Sequence, residues 1–291
     1  MIKSVRTVLS GMAVAAMTAP LLGMSASTAA TAQQDQRAPG KSAAVYYLKG
    51  YSKDVKPGVN CATYWGGLPR AMSGWGWDGP VHHAGYYKGD KKCDVPLAAG
   101  NQGVGIKQLG RQLAKHIYTN YTSKGLPVKL IGHSMGGLVA RAALTGVQRG
   151  EPGFPPSLRV EDVITFDTGH RGHNWTSFCG SKQCQDQRGN SYFLKTWALD
   201  NPQGVGGTDW SLLSVDEFPD ADRVSTQSAL GMKSNHYVHY KYFQANHGNL
   251  PEKTTGQYKF WYQRKGFAIR HVGLGAAPGR MADLALSTTR W

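Results

Sequence analysis

The sequence is poor in acidic residues, and this shortage limits the partners that the protein can have. Across 291 residues, 18 Asp and Glu stand against 33 Lys and Arg, so the formal net charge is +15. Such an excess of positive charge attracts anionic material, including cell-wall polymers, acidic lipids and nucleic acid. The basic residues are spread along the chain, however, without a dense run or a recognised nucleic-acid motif. We therefore expect peripheral contact with anionic surfaces and no specific nucleic-acid partner.

Apolar runs of membrane-spanning length are absent after residue 32. Before it, Lys3 and Arg6 precede an apolar stretch at Val8–Met24, and a small-residue run follows that ends in Ala30-Thr31-Ala32. A basic start, an apolar centre and an A-x-A-like site are the three parts of a secretory signal peptide. A membrane anchor is the alternative, but the stretch is rich in Ala, Gly, Ser and Thr and has no stop-transfer flank.

The segment boundaries follow from this pattern. The sequence predicts a signal peptide over residues 1–32 that is cleaved near Ala32, and it predicts a flexible mature N-terminus at 33–42. The remainder, 43–291, is long enough for one large domain, and hydrophobic residues at 41% of the whole chain can fill its core. The mature protein is expected to be secreted and extracellular.

Cysteine is scarce, with four in the whole chain. An even count in an exported protein favours two disulfides, and four cysteines allow three pairings. We favour Cys61–Cys93 and Cys179–Cys184, because each of these pairs closes a local loop. Zinc is the rival interpretation, but no C-x-x-C pair is present, so no metal is expected.

The most informative stretch is Pro127–Arg141, which reads P-V-K-L-I-G-H-S-M-G-G-L-V-A-R. A short apolar run that suits a buried strand leads into Gly132-His133-Ser134-Met135-Gly136, and a small-residue helix follows. This G-x-S-x-G pentapeptide in a strand–turn–helix context is typical of a serine nucleophile. The glycines are needed because a Cβ two residues to either side of the serine would strike the neighbouring strand or helix. Ser134 is therefore predicted to be the nucleophile.

Alternating elements around this turn predict an α/β fold. Apolar patterns predict strands at Ala43–Leu48, Pro80–Tyr87, Val160–Phe166 and Tyr237–Gln244, and a helix over Gly105–Ser123. Residues 61–79, rich in Gly and Trp, are interpreted as an irregular loop, and 258–275 receive no assignment. The long aromatic-rich segment 173–218 is interpreted as a lid or pocket insertion that could offer an apolar surface to acyl chains.

A serine nucleophile of this kind needs two backbone amides to stabilise the oxyanion that forms during acyl transfer. One comes from the residue after the serine, here Met135, and the other from the loop after an early strand. The sequence places Lys49-Gly50-Tyr51 after the first strand, and the amide of Tyr51 is the second candidate.

The base and its orienting acid should follow the serine in the order Asp or Glu, then His. Asp222 is the preferred acid, because it lies in a loop that leaves room for a strand and the insertion after Ser134. His247 is the preferred base, because it lies in a turn at the end of a predicted strand. The competitors are Asp209, Asp216 and Asp220 for the acid, and His236, His239 and His271 for the base.

The stretch Val128–Arg141 resembles the nucleophile elbow of secreted bacterial lipases of the α/β-hydrolase superfamily. Cys179–Cys184 and Gly207-Thr208-Asp209-Trp210 are similar to segments of actinobacterial exported lipase-like hydrolases, and the resemblance covers most of residues 43–250. It implies a mostly parallel central sheet with helices on both faces and a lid-like insertion. Two stretches depart from the family pattern: Lys49-Gly50 replaces His-Gly, and Asp167-Thr168-Gly169-His170-Arg171-Gly172 replaces Gly-Thr-Pro-His-x-Gly.

The resemblance and the residues together predict a secreted, monomeric serine hydrolase of carboxylic esters that needs no cofactor. Lipid esters are the expected substrates, which makes the protein a lipase or esterase. A polyester or cell-envelope ester hydrolase and an acyltransferase remain alternatives, because all of them use the same triad. A non-catalytic, envelope-binding module on a hydrolase scaffold is the alternative from another class of protein.

Overall fold

In the computed structural model of the chain, the described residues are 40–52, 58–97, 101–173, 180–216, 224–241, 244–265 and 271–287. All of them belong to one unit, residues 37–291. The predicted signal peptide and residues 33–39 lie outside the described residues. Within the described ranges, no helix is long and apolar enough to cross a membrane.

The described residues contain one sheet of nine strands in the order β3-β2-β1-β4-β5-β6-β7-β8-β9. Its strands are β1 Ala44–Leu48, β2 Val81–Gly85, β3 Val95–Pro96, β4 Val128–His133, β5 Val160–Phe166, β6 Asp209–Val215, β7 His236–Tyr240, β8 Gln257–Arg264 and β9 His271–Ala276. Every pair from β3 across to β7 is parallel, whereas β7–β8 and β8–β9 are antiparallel. Because the carboxyl ends of parallel strands meet at one edge, the loops after β1, β4, β5 and β7 converge there.

Seven α-helices accompany the sheet in the described ranges. They are α1 Cys61–Tyr64, α2 Leu68–Gly74, α3 Ile106–Asn120, α4 Met135–Gln148, α5 Lys182–Asp186, α6 Thr226–Ala229 and α7 Pro278–Ser287. A five-residue π-helical segment at Phe193–Trp197 follows α5. The connections from β1 to β2 and from β4 to β5 carry helices, as is usual between parallel neighbours.

The core has two halves because side chains alternate across a strand. In β1, Tyr46 and Leu48 join a cluster with residues of α3 and α4, whereas Val45 and Tyr47 join a second cluster with residues of α2 and α7. Helices therefore cover both faces of the sheet. This mostly parallel, two-sided arrangement confirms the predicted α/β-hydrolase fold class.

The strand predictions near the nucleophile agree with the structure, but two other interpretations were wrong. Residues 61–79 contain α1 and α2 instead of an irregular loop, because Trp65, Leu68 and Met72 are buried against the second half of the core. The segment 173–218, interpreted as an insertion, ends in β6, which is hydrogen-bonded between β5 and β7 in the middle of the sheet. An insertion can therefore extend no further than residue 208.

Two predictions about chain ends and cysteines can be compared with the structure in part. Residues 41 and 42, expected to be flexible, are held in place: Lys41 Nζ lies 2.9 Å from Asp283 Oδ1, and Ser42 donates to Asp78. The disulfide Cys61–Cys93 is present, as predicted. The other predicted pair cannot be compared, because Cys179 lies outside the described residues.

Candidate active site

Ser134 lies on a strained turn between β4 and α4. Its φ of 53° and ψ of −125° are a conformation that a residue with a side chain rarely adopts, and strain of this kind concentrates at functional sites. The glycines of the motif make this turn possible. A Cβ at Gly136 would come 1.8 Å from the carbonyl oxygen of Leu48, and one at Gly132 would come 2.6 Å from Gly137. Both positions exclude any side chain, which agrees with the steric role predicted from the sequence.

His247 lies beside this serine, on a turn after β7. Its Nε2 atom is 3.2 Å from Ser134 Oγ, and its side chain is 20% exposed. Two reciprocal hydrogen bonds hold the turn, from Asn246 N to Asn249 Oδ1 and from Asn249 N to Asn246 Oδ1. The structure therefore brings together Ser134 and His247, the nucleophile and the base predicted from the sequence.

The residue at the other ring nitrogen of His247 is Asp167. Its Oδ2 atom lies 2.7 Å from His247 Nδ1, and its carboxylate is buried. The other oxygen, Oδ1, accepts from the backbone N–H of Val215 at 3.4 Å. The position of the orienting acid is thus occupied by Asp167. Asp222, which the sequence interpretation preferred, lies outside the described residues, and its place at Nδ1 is taken.

A signal for Asp167 was present in the sequence. It directly follows Val160–Phe166, the strand after the nucleophile helix, and Ser134, Asp167 and His247 already stand in the expected chain order. It also stands where the resembling lipases have the glycine of Gly-Thr-Pro-His. Because β5 pairs with β4, the residue after β5 emerges next to the elbow. Asp167 has a φ of 47° and Ser134 a φ of 53°, so both residues have a strained backbone at this edge of the sheet.

A chain of hydrogen bonds joins the loops on either side of the serine. The N–H of Gly50 donates to Tyr64 Oη at 2.9 Å, and Tyr64 Oη lies 2.6 Å from His133 Nδ1. His133 Nε2 lies 2.8 Å from the carbonyl oxygen of His247. Desolvation raises the pKa of Tyr64, so its hydroxyl stays protonated. The hydroxyl can then donate to Nδ1, which leaves Nε2–H to donate to the carbonyl of His247.

This chain also bears on the predicted oxyanion amides. Because the N–H of Gly50 is engaged by Tyr64, Gly50 is not available as a donor to substrate. Its Cα approaches the nucleophile so closely that a Cβ would lie 3.0 Å from Ser134 Cβ. Tyr51, the next residue, is half-buried, and its hydroxyl lies 3.2 Å from Ser181 Oγ. Met135 is the first residue of α4, where a backbone N–H has no acceptor within the helix.

Lys49 precedes these residues and is buried, with 1% of its side chain exposed. Its Nζ atom lies 3.2 Å from Asp90 Oδ2, and it stands over the rings of Tyr86 and Tyr87 at 4.7 and 4.2 Å from their centroids. Burial lowers the pKa of Lys49 to about 8, against the opposing effect of Asp90. Lys49, which stands where the resembling lipases have histidine, is thus a core residue that supports the loop after β1.

Three further histidines, His239, His170 and His173, have buried rings. His239, the alternative base, lies on β7, where Nδ1 is 2.9 Å from Ser214 Oγ and Nε2 is 2.7 Å from Asp216 Oδ1. Burial lowers the pKa of His170 and brings that of His173 to about 3, so both rings stay neutral. No group of His, Cys, Asp or Glu in the described ranges is arranged to hold a metal ion.

No protein-family model and no curated protein matches the chain. Several solved structures are similar to it. Lipase BlEst2 of Bacillus licheniformis in mature form is 16% identical, covering 60% of this chain and 65% of that chain with a TM-score of 0.39. Its propeptide form is 14% identical, covering 74% and 48% with a TM-score of 0.47. A lipase-esterase related protein from Clostridium acetobutylicum is 14% identical, covering 72% and 89% with a TM-score of 0.42.

These solved proteins are lipases or lipase-related proteins by their descriptions. The present chain spans less than two thirds of the length of either BlEst2 chain. Their activities therefore remain properties of those proteins, and the function of this chain rests on its own site.

Proposed function

We propose that the protein is a serine hydrolase of carboxylic esters. The observation that carries the proposal is the continuous contact Ser134 Oγ–His247 Nε2–His247 Nδ1–Asp167 Oδ2, with separations of 3.2 and 2.7 Å. A serine hydroxyl becomes a nucleophile when a base takes its proton, and the base needs an acid that fixes its tautomer. The strained elbow holds the hydroxyl at the carboxyl edge of the sheet, where this contact forms.

In the first half of the reaction, Nε2 of His247 takes the proton of Ser134 while Oγ bonds to the ester carbonyl carbon. The carbonyl oxygen becomes an oxyanion, and the amides of Tyr51 and Met135 are its proposed donors. Nε2 then returns the proton to the departing alkoxide as the bond from carbon to the alcohol oxygen breaks. An alcohol leaves and an acyl-enzyme on Ser134 remains.

In the second half, His247 takes a proton from water, whose oxygen attacks the acyl carbon. The bond to Ser134 Oγ breaks, Oγ recovers its proton from Nε2, and the carboxylic acid is released. The Asp167 carboxylate stabilises the imidazolium that forms twice per turnover. No cofactor takes part in either half.

Two finer expectations belong to the same proposal. The disulfide Cys61–Cys93 supports export, because such bonds persist in oxidising compartments. Lipid esters are the proposed substrates, with residues up to 208 of the aromatic-rich segment as a wall or lid near the site. N-terminal sequencing of the protein from culture medium should begin close to residue 33, and an intact N-terminus would contradict the proposed signal peptide.

The test of the activity uses p-nitrophenyl esters from acetate to palmitate with the mature protein and with Ser134→Ala. We expect turnover in the first and a loss of at least about 10⁴-fold in the second. The chain-length profile then separates a lipase from a short-chain esterase. The absence of turnover on every ester by a folded, disulfide-intact sample would contradict the proposal and favour a binding module.

A further inference from the structure

A cavity of about 540 Å³ lies between the start of α3, α5 and the π-helical segment Phe193–Trp197. A volume of this size is typical of sites that hold a drug-sized molecule. The residues that line it do not include Ser134, Asp167 or His247. The cavity is therefore a second concave site, built by the first turns of α3 and the chain that follows residue 180.

One side of the cavity is aromatic. Phe193 and Trp197 stack with their ring centroids 5.6 Å apart, and Phe154 lies 6.2 Å from Trp197. Trp197 is anchored because its Nε1–H donates to Glu151 Oε2 at 3.1 Å. Tyr192, which also lines the cavity, is 70% exposed at its edge. These rings offer an apolar surface whose positions are fixed by the core behind them.

The polar side of the cavity is rich in positive charge. Four cationic side chains line it, namely Lys107, Arg111, Lys182 and Arg188. Carboxylates neutralise two of these cations, because Lys182 pairs with Asp186 and Lys107 pairs with Glu151. Arg111 has no carboxylate within salt-bridge distance among the described residues, so the cavity keeps an uncompensated positive charge that favours an anion over a neutral or cationic occupant.

Arg111 is the cation most in need of an acceptor. Its Nη2 group donates to the neutral amide of Gln108, and its Nε–H is buried without a hydrogen-bond partner among the described residues. A buried donor left without an acceptor carries a desolvation penalty. A guanidinium binds carboxylate and phosphate oxygens with two parallel hydrogen bonds. Arg111 lines the cavity and has no carboxylate partner among the described residues, so an anionic headgroup in the cavity would pair with its charge.

The helix α5 separates this cavity from the loop after β1, which carries the proposed oxyanion donor Tyr51. Lys182, Gln185 and Asp186 line the cavity, whereas Gln183 accepts from the hydroxyl of Tyr87, on the side of the loop after β1. The residue before α5, Ser181, contacts the hydroxyl of Tyr51. The two sites thus lie on different sides of one short helix.

We propose that this cavity binds an anionic amphiphile, with the anion on Arg111 and the apolar body on Trp197 and its aromatic neighbours. The shared chemistry is a carboxylate or phosphate carried on a hydrocarbon chain or ring. The site is separate from the triad, and its occupancy does not require ester turnover. Failure of this proposal and failure of the hydrolase proposal are therefore separate results.

Calorimetric titrations test this proposal with dodecanoate, dodecyl phosphate and the uncharged dodecyl maltoside, each below its micelle concentration. We expect both anions to bind one per protein and the maltoside to bind at least about tenfold more weakly. Comparison of the two anions identifies the preferred headgroup. Treatment with an organophosphate that caps Ser134 should leave the anion affinity unchanged.

Arg111→Gln should weaken anion binding by about tenfold or more and leave maltoside binding as it was, because a charged hydrogen bond is lost. Arg111→Lys, which keeps the charge but not the planar fork, should fall between the two. The matched control is Arg70→Gln, an exposed charge on α2 at the other face of the sheet, with no expected effect. Four results would each overturn the proposal. Two concern affinity: Arg111→Gln binds the anions as tightly as wild type does, or the maltoside binds as tightly as dodecanoate. The other two are that neither anion binds, or that anion binding is lost when Ser134 is capped.

Discussion

Asp167 Oδ2 lies 2.7 Å from His247 Nδ1, although the two residues are 80 positions apart in the chain. The contact exists because β5 lies next to β4 in the sheet, so the residue that follows β5 emerges beside the elbow. It fixes a proton on Nδ1 and leaves Nε2 as an acceptor that faces Ser134. This pairing is the part of the site that differs from the choice made from sequence.

Replacing Asp167 with Asn should lower kcat by about 10³–10⁴-fold with little change in KM, because the amide no longer fixes the imidazole tautomer or stabilises the imidazolium. Steady-state kinetics on p-nitrophenyl butyrate measure this effect. Asp222→Asn is the matched control, and its kcat should stay within about twofold of wild type. A large loss in Asp222→Asn with a small loss in Asp167→Asn would restore Asp222 as the acid.

Tyr64→Phe should lower kcat by about tenfold, since the N–H of Gly50 and Nδ1 of His133 both lose their partner. The expected signature is a fall in kcat with KM nearly constant. The reason is that Tyr64, through His133, links the loop after β1 to the turn that carries His247, and the variant would lose this link. Tyr240→Phe removes one buried hydroxyl contact, to the carbonyl of Ala276, and serves as the control. Equal kcat losses in the two variants would mean that Tyr64 acts through general stability alone.

Gly50→Ala should reduce turnover by at least about tenfold while the protein remains folded. The added Cβ would come 2.9 Å from Tyr64 Oη and 3.0 Å from Ser134 Cβ, so the loop must move away from the nucleophile. Gly67→Ala is a suitable control, because a Cβ there meets nothing within 4 Å. Burst kinetics with p-nitrophenyl acetate would measure the acylation step directly, and an unchanged acylation rate in Gly50→Ala would contradict the assignment of this loop to the oxyanion.

Lys49 predicts a pH dependence of stability whose sign follows from its pKa. The folded value of about 8 lies below the ordinary value of 10.5, so between these pH values the unfolded chain holds a proton that the folded protein has released. The free energy of unfolding from this group therefore rises with pH over that window, by up to about 3 kcal/mol. Below pH 8 the contribution is constant.

Urea unfolding of wild type and Lys49→Met at pH 7.5 and 10 tests this prediction. Wild type should gain stability relative to the variant as pH rises. Lys88→Met, an exposed lysine, should keep the same difference from wild type at both pH values. A wild-type gain no larger than that of Lys49→Met would show that burial of the Lys49 charge has no net cost.

The sequence alone predicts Ser134 as the nucleophile and places it on the elbow that the structure shows, since the elbow is a local structure. The steric needs of Gly132 and Gly136 arise within a few residues of Ser134, and the apolar strand and small-residue helix flank them directly. The parallel strands near the elbow were predictable for the same reason, because their apolar runs are short and bounded by turn residues. His247 was predicted from its position after a predicted strand, and the structure places it 3.2 Å from Ser134 Oγ.

The tertiary structure decided which side chains meet at the edge of the sheet. Tyr64 reaches the site only through the packing of α1, which spacing along the chain does not encode. Asp167 had a signal in its position after a predicted strand, but its contact with His247 depends on the order of the strands. Several aspartates satisfied the order serine, acid, histidine equally well, so the sequence could not choose among them. The helices at 61–79 were not predicted because the many glycine and tryptophan residues of this segment are typical of a loop. Their apolar face, formed by Trp65, Leu68 and Met72, is defined by packing against the sheet.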